Sequence, residues 1–186
     1  MSLYIPPKLT YQDLLDFPED GKRYEIIGGE LFVAASPSIK HQRLLARFYH
    51  VFFDSLERSG WGEIFFAPLD VKFSDYDVVE PDLIAIRTDR REIMESNHLT
   101  AAPDIVLEVI SPFSRRYDEV TKLALYARFG VPEFWLADSV NHGLRGLTLR
   151  NGSYFEITPE ADGRLRSIVA PDLVFDPSKL FANLSD

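Results

Sequence analysis

VEPDLIAIR (79–87), DIVLEVIS (104–111) and SRRYDEVTK (114–122) make up the stretch from Val79 to Lys122 around which the rest of the chain is organised. The first two hold short runs rich in Val, Ile and Leu, bounded by proline or polar residues, which is the pattern of buried β-strands. Each run carries a carboxylate where a purely structural strand has no use for one: Asp82 and Glu108. A buried carboxylate is costly unless it is protonated, paired or bound to a cation. The expectation is that these two acids share a divalent metal ion.

Strand periodicity sharpens the argument. Asp82 shares a face with Ile84 and Ile86 and opposes Leu83 and Ala85; taken alone it reads equally as a solvated strand end or as a functional group. Glu108 sits mid-strand, with Asp104, Val106 and Ile110 on its own face and Ile105, Leu107 and Val109 on the other, a position with few structural explanations. After Ser111-Pro112, Ser114 can cap a helix that runs to Phe129 and stops at Gly130-Val131-Pro132. That helix is apolar almost all round, which implies packing against a sheet and a further element. Asp118 and Lys122 lie four apart and align with Leu125 and Phe129. A surface ion pair would account for them, but on a buried helix they reach into a site.

The chain has 186 residues, 46% hydrophobic and 13% aromatic, and the reading is a single domain over residues 1–186. No apolar run approaches a membrane span, and the first twenty residues show no signal-peptide pattern, so a cytoplasmic protein is expected. The absence of cysteine excludes disulfides, zinc thiolates and thiol catalysis, and leaves oxygen or imidazole as metal ligands. With 20 basic and 29 acidic side chains the net charge is −9, which argues against broad electrostatic capture of nucleic acid. A local basic groove stays possible: Arg115, Arg116, Lys122 and Arg128 cluster, as do Lys40, Arg43 and Arg47, although solvated helix faces explain both groups as well.

From the N-terminus, Thr10 opens a short helix through Phe17 that ends at PEDG, and Arg23 to Ala35 forms a hairpin turning at Gly28-Gly29, flanked by Glu25 and Glu30. Ser36-Pro37 suits the start of a long helix to about Ser59, with Leu44, Leu45, Phe48, Val51, Phe52 and Leu56 as its apolar stripe. His41 points along that stripe. It reads either as a half-buried histidine satisfied by backbone or as the rim of a site between helix and sheet. GEIFFAPLDVKF (62–73) is one bent strand or two around Pro68, and Asp89 and Glu92 have capping-box spacing. EFWLADSV (133–140) is another buried strand, a hairpin turns at Asn151-Gly152, and PDLVFDPSKLFANLSD (171–186) lies across the body. The fold class is α/β or α+β, a mixed sheet flanked by helices.

RYEIIGGEL, HQRL, EPDLIAI, APDIVLEVISPFS and RRYDEVTKLALYARFGVPEFWLAD occur in one order over roughly residues 10–140. Together they resemble the Uma-two restriction-endonuclease family of the PD-(D/E)xK nuclease superfamily. A lone Pro-Asp pair would mean nothing, since Pro103-Asp104 and Pro171-Asp172 also occur. The resemblance implies a restriction-endonuclease-like fold and Mg²⁺-dependent hydrolysis of nucleic-acid phosphodiesters, with Mn²⁺ as a substitute, DNA as the substrate and a homodimer as the assembly. It makes Asp82 the metal aspartate and Glu108 the second acidic ligand. The lysine usually two residues on is absent, its place taken by Ile110, and Lys122 on the next helix matches the displaced lysine with Asp118 beside it. Glu30 and His41 match further family positions, and Arg115 and Arg116 are candidates for nucleic-acid contact. Two other readings stay open: a silent nuclease-like module that only binds, or a structural protein in which Asp82, Glu108 and Lys122 form a buried ion-pair network.

Overall fold

Thr10 starts helix α1 (Tyr11–Leu15) through a reciprocal cap: its hydroxyl accepts the Asp13 N–H and the Asp13 carboxylate accepts the Thr10 N–H at 2.7 Å. The computed structural model describes residues 7–18, 20–34 and 36–184. Glu19 in the stretch expected to end α1, Ala35 at the end of the expected hairpin, and the last two residues of the tail lie outside these. Strands β1 (Arg23–Ile27) and β2 (Glu30–Ala34) pair antiparallel across Gly28 and Gly29, whose φ angles of +62° and +85° are what a tight two-residue turn requires.

Helix α2 (Ile39–Phe52) begins two residues later than the Ser36-Pro37 pair predicts. Ser38 is the cap, because its hydroxyl is the one placed to accept the His41 N–H, at 3.1 Å. The helix continues through a wide π-helical turn over Phe53–Glu57, and Leu44, Phe48, Phe52 and Leu56 are fully buried along it. The segment around Pro68 resolves into two strands, β3 (Gly62–Phe66) and β4 (Asp70–Ser74), which go to different sheets.

Next come β5 (Asp77–Val79), β6 (Leu83–Arg87), β7 (His98–Leu99) and β8 (Ile105–Ile110). Residues Thr88–Ile93 form a 3₁₀ turn without the expected capping box. Asp89 accepts from the Arg87 guanidinium at 2.6 Å instead of from the backbone. The helix after β8 starts at Ser114, whose carbonyl accepts the Asp118 N–H, widens into a π-helical turn over Tyr117–Lys122 and ends as α3 (Leu123–Phe129). It is less apolar all round than the sequence implies: Val120 and Ala124 face solvent. β9 (Glu133–Asp138), β10 (Gly143–Arg150), β11 (Ser153–Glu156), the short pair β12 (Leu165–Arg166) and β13 (Val174–Phe175), and α4 (Pro177–Leu180) complete the chain.

Among the described residues the central sheet runs β11-β10-β9-β8-β6-β3, with β8 and β9 parallel and the other neighbours antiparallel. This is the expected mixed sheet. A second sheet, β2-β1-β5-β4-β7, incorporates the N-terminal hairpin. One face of the central sheet packs Leu83, Leu107, Val109 and Trp135 against α2 and the tail. The other packs Ile84, Val106, Ile110 and Phe134 against α3 and the second sheet. No helix among the described residues is long and apolar enough to cross a membrane.

The tail is a structural part of the core. Phe175 is fully buried, with its ring 4.5 Å from that of Trp135 and 5.5 Å from Phe48, and Arg47 donates to the carbonyls of Leu180 and Ala182 at 2.6 and 2.7 Å. Phe175→Ala leaves a cavity between α2 and the central sheet, and a loss of about 3–5 kcal/mol in urea unfolding is expected.

Candidate functional site

The antiparallel register of β6 and β8 pairs Leu83 with Leu107, so one step beyond the paired segment Asp82 comes to lie across from Glu108. The contacts agree. The Asp82 N–H points to Glu108 Oε2 at 3.4 Å, while Asp82 Oδ2 accepts the Val109 N–H at 2.8 Å. Both acids are 3% exposed. Two strands chosen for β-rich apolar character thus bring together two carboxylates twenty-six positions apart in the chain.

Lys122 meets Glu108 from the following helix, its amine 2.8 Å from Glu108 Oε1, and the Tyr126 hydroxyl donates to the same oxygen at 2.7 Å. Asp118, Lys122 and Tyr126 recur at intervals of four, and the π-helical turn that carries the first two is the kind of local widening often found at functional sites. Among the described residues the other ion-pair partner of Lys122 is Glu25, at 3.0 Å, and not Asp82. Tyr117 fixes Glu25 by donating its hydroxyl at 2.9 Å, and Glu25 Oε1 accepts the Glu80 N–H at 2.8 Å. Strand β1 also brings Arg23, two residues before Glu25, to Asp82: Arg23 Nη1 lies 2.7 Å from Oδ1, and His41 Nε2 approaches the same oxygen at 3.4 Å.

Burial works against ionisation of Asp82, but the hydrogen bond and charge of His41, together with Arg23 and Lys122, outweigh it and hold the carboxyl well below its usual range. Glu108 is displaced the other way. Burial dominates, Asp82, Asp118 and Glu25 add to it, and Lys122 offsets only part. Burial also opposes a charged Lys122, yet Glu108, Glu25 and Asp118 keep its amine firmly protonated. Asp118 is pushed up to about 6 by burial with Asp82 and Glu25, against the pull of Lys122 and Ser114. Glu80, beside Pro81-Asp82, is pushed up to about 7 by burial with Asp70 and Glu25, and its Oε2 is buried with no hydrogen-bond partner among the described residues.

The structure therefore brings together Asp82, Glu108, Lys122, Asp118 and His41. Glu30 lies apart: it is exposed at the start of β2, and the acid that enters the cluster from this hairpin is Glu25. Arg115 is half-buried and bound to Asp138 at 2.6 Å, at the end of β9, while Arg116 is exposed. Arg23, Glu25, Glu80, Tyr117 and Tyr126 were not singled out from sequence as site residues. Glu25 carried the same signal as Glu108, an acid inside a β-rich run, and Tyr126 continued the four-residue spacing from Lys122.

Glu108 Oε1 is held by the amine and Asp82 Oδ2 by the strand backbone, while Oδ1 carries Arg23 and Oε2 the long contact from the Asp82 N–H, so a cation could draw one hard oxygen from each acid by displacing Arg23. That donor chemistry fits Mg²⁺, which takes one or two carboxylates and completes its shell with water and phosphate oxygens. No group of three or more His, Asp or Glu among the described residues forms a ready-made cage. A mixed central sheet with α2 and the tail on one face and α3 with a second sheet on the other makes this an α+β fold. The chain belongs to the Uma2 family, described as "Putative restriction endonuclease", which it matches over residues 11–176. Its fold is similar to that of "a putative nuclease belonging to DUF820" from Anabaena variabilis ATCC 29413, with a TM-score of 0.78 and 20% sequence identity over 95% of this chain and 99% of that one. No curated protein matches it.

Glu80 yields a stability test. Its folded-state value of about 7 stands above the ordinary 4.5, so between those pH values the folded protein keeps a proton that the unfolded chain has released. Stability falls as pH rises through that window and levels off above it. Glu80→Gln removes this loss. Unfolding midpoints in urea should coincide near pH 4 and diverge to favour the variant at pH 8, by about 1–2 kcal/mol after discounting for solvent screening of a partly exposed group.

Proposed function

We propose that this chain is a Mg²⁺-dependent endonuclease that hydrolyses phosphodiester bonds in nucleic acid, with DNA as substrate and Mn²⁺ able to replace Mg²⁺. The observation that carries this reading is the pair of acids opposed across β6 and β8 with an ammonium group on one of them. Family membership supports the nuclease class. Asp82 and Glu108 would hold the ion, and when bound it would supply a water of lowered pKa and positive charge against the phosphate.

The protein's own groups divide the remaining work. Lys122 is protonated, so it acts as a fixed positive charge and hydrogen-bond donor to the attacked phosphate or the attacking water, and not as a base. Tyr126 and Lys122 together hold Glu108 by Oε1, which keeps its second oxygen oriented toward Asp82. Tyr117, through Glu25, fixes the amine from the other side. A homodimer in the cytoplasm, with Arg116 at the helix start contacting the polyanion, belongs to the same proposal. A local cation is needed because the net charge of −9 repels DNA.

One observation favours a second reading, a silent module with a structural network: Lys122 bridges two carboxylates, Glu25 and Glu108, in a nearly water-free position. Supercoiled plasmid incubated with Mg²⁺ or Mn²⁺ separates the two. Nicking by the wild type, abolished by Asp82→Ala or Glu108→Ala and reduced about 10²–10³-fold by Lys122→Met, is the expected outcome. Metal-independent nicking, or nicking retained in both alanine variants, would reject the nuclease site. Under the structural reading, Lys122→Met costs about 3–5 kcal/mol of stability, because two buried acids lose their partner, and changes no activity.

A further inference from the structure

We propose that Arg23 is a displaceable counter-ion that occupies the cation's position on Asp82, so that this one residue sets how much divalent metal the site requires. The inference rests on the metal-dependent reading above. It begins with the unequal use of the two Asp82 oxygens. Oδ2 is tied to the strand by the Val109 N–H at 2.8 Å, whereas Oδ1 carries Arg23 Nη1 at 2.7 Å with His41 Nε2 at 3.4 Å. On Glu108, Oε1 is shared by Lys122 and Tyr126, and among the described residues Oε2 has the long contact from the Asp82 N–H alone. A cation shared by both acids must draw on Oδ1 and Oε2, and Oδ1 is the oxygen Arg23 covers.

Of the three bases that contact these acids among the described residues, Arg23 is the one placed to leave, since His41 and Lys122 are both buried. Lys122 is 4% exposed in its side chain and gripped by two carboxylates. The Arg23 side chain is 23% exposed, and its other hydrogen bond among the described residues is a 3.4 Å contact to the Glu80 carbonyl. It stands at the first position of β1, which pairs with β5 through a single register pair, Ile26 with Val78. Withdrawal therefore breaks one strong ion pair and delivers the guanidinium to water, leaving no buried cation unpaired. A guanidinium does not lose its proton in this environment, so the exchange is one charge against another at every ordinary pH.

Mn²⁺ binding, followed by the electron paramagnetic resonance of the free ion, tests this without cleavage. Arg23→Met should bind Mn²⁺ about tenfold more tightly than the wild type, the ratio that about 1.4 kcal/mol produces, and Asp82→Asn should abolish binding in both backgrounds. Should the methionine variant not fold, the wild type suffices. Mg²⁺ titration should release the hindered rotation of the Arg23 guanidinium seen by nitrogen NMR, with the signal assigned through Arg23→Lys. Mn²⁺ binding that depends on Asp82 but is equal or weaker in Arg23→Met, or a guanidinium still locked with Mg²⁺ bound, overturns the role of Arg23 while leaving the nuclease reading intact. No Mn²⁺ bound by either protein at saturating concentration brings down both.

Discussion

An ammonium group shut away from water between Glu25 and Glu108 is the constraint that the rest of the molecule answers to. Each of its partners comes from a different layer: Glu108 from the central sheet, Glu25 from the second sheet, and Lys122 itself from the helix packed between them. A buried charge without its partner costs far more than the pair returns, so the three layers must close together or not at all. The N-terminal hairpin thereby ceases to be an appendage. It delivers an arginine to one acid and a glutamate to the lysine, two residues apart on one strand.

The environment also separates the two strand acids. Burial opposes the charge of both, but the donors around Asp82 outweigh it and hold that carboxyl low, while burial and then the neighbouring carboxyls push Glu108 upward. Two carboxyl groups driven apart in this way are suited to different tasks, one as a constant anion and the other as a group whose charge depends on what sits beside it. Lys122 narrows this gap, since it faces Glu108 directly and pulls it down while reaching Asp82 only through the longer-range field.

Much of this was legible in the residues. Apolar runs with a misplaced acid identified β6 and β8, and the adjacent glycines at 28 and 29 and the Asn151-Gly152 pair marked both hairpins, because positive φ is a local demand that local sequence answers. What escaped was set by distant pairing. Glu25 carries a local signal, an acid inside a β-rich run, but nothing in β1 announces that it will cover Asp82 and Lys122; the resemblance points to Glu30 at the turn, whereas Glu25, three residues before the turn's first glycine, enters the site. Ser36 and Ser38 are equally good caps by type, and only the path of the chain into the core selects Ser38. The ion pair of Arg115 with Asp138 joins residues twenty-three apart, a partner that no local pattern shows.

The mid-strand position of Glu108 has a consequence before the protein folds. IVLEVI (105–110) without its acid would be an uninterrupted six-residue stretch of strong β-formers with neither charge nor proline, the composition that stacks into intermolecular cross-β assemblies. In the nascent chain Glu108 is solvated and ionised, and its repulsion between neighbouring copies guards that segment until β6 and β9 enclose it. A side chain that is awkward in the finished core thus guards the unfolded strand, and trading it for an apolar residue would both expose that segment to stacking and deprive Lys122 of one of its two carboxylates.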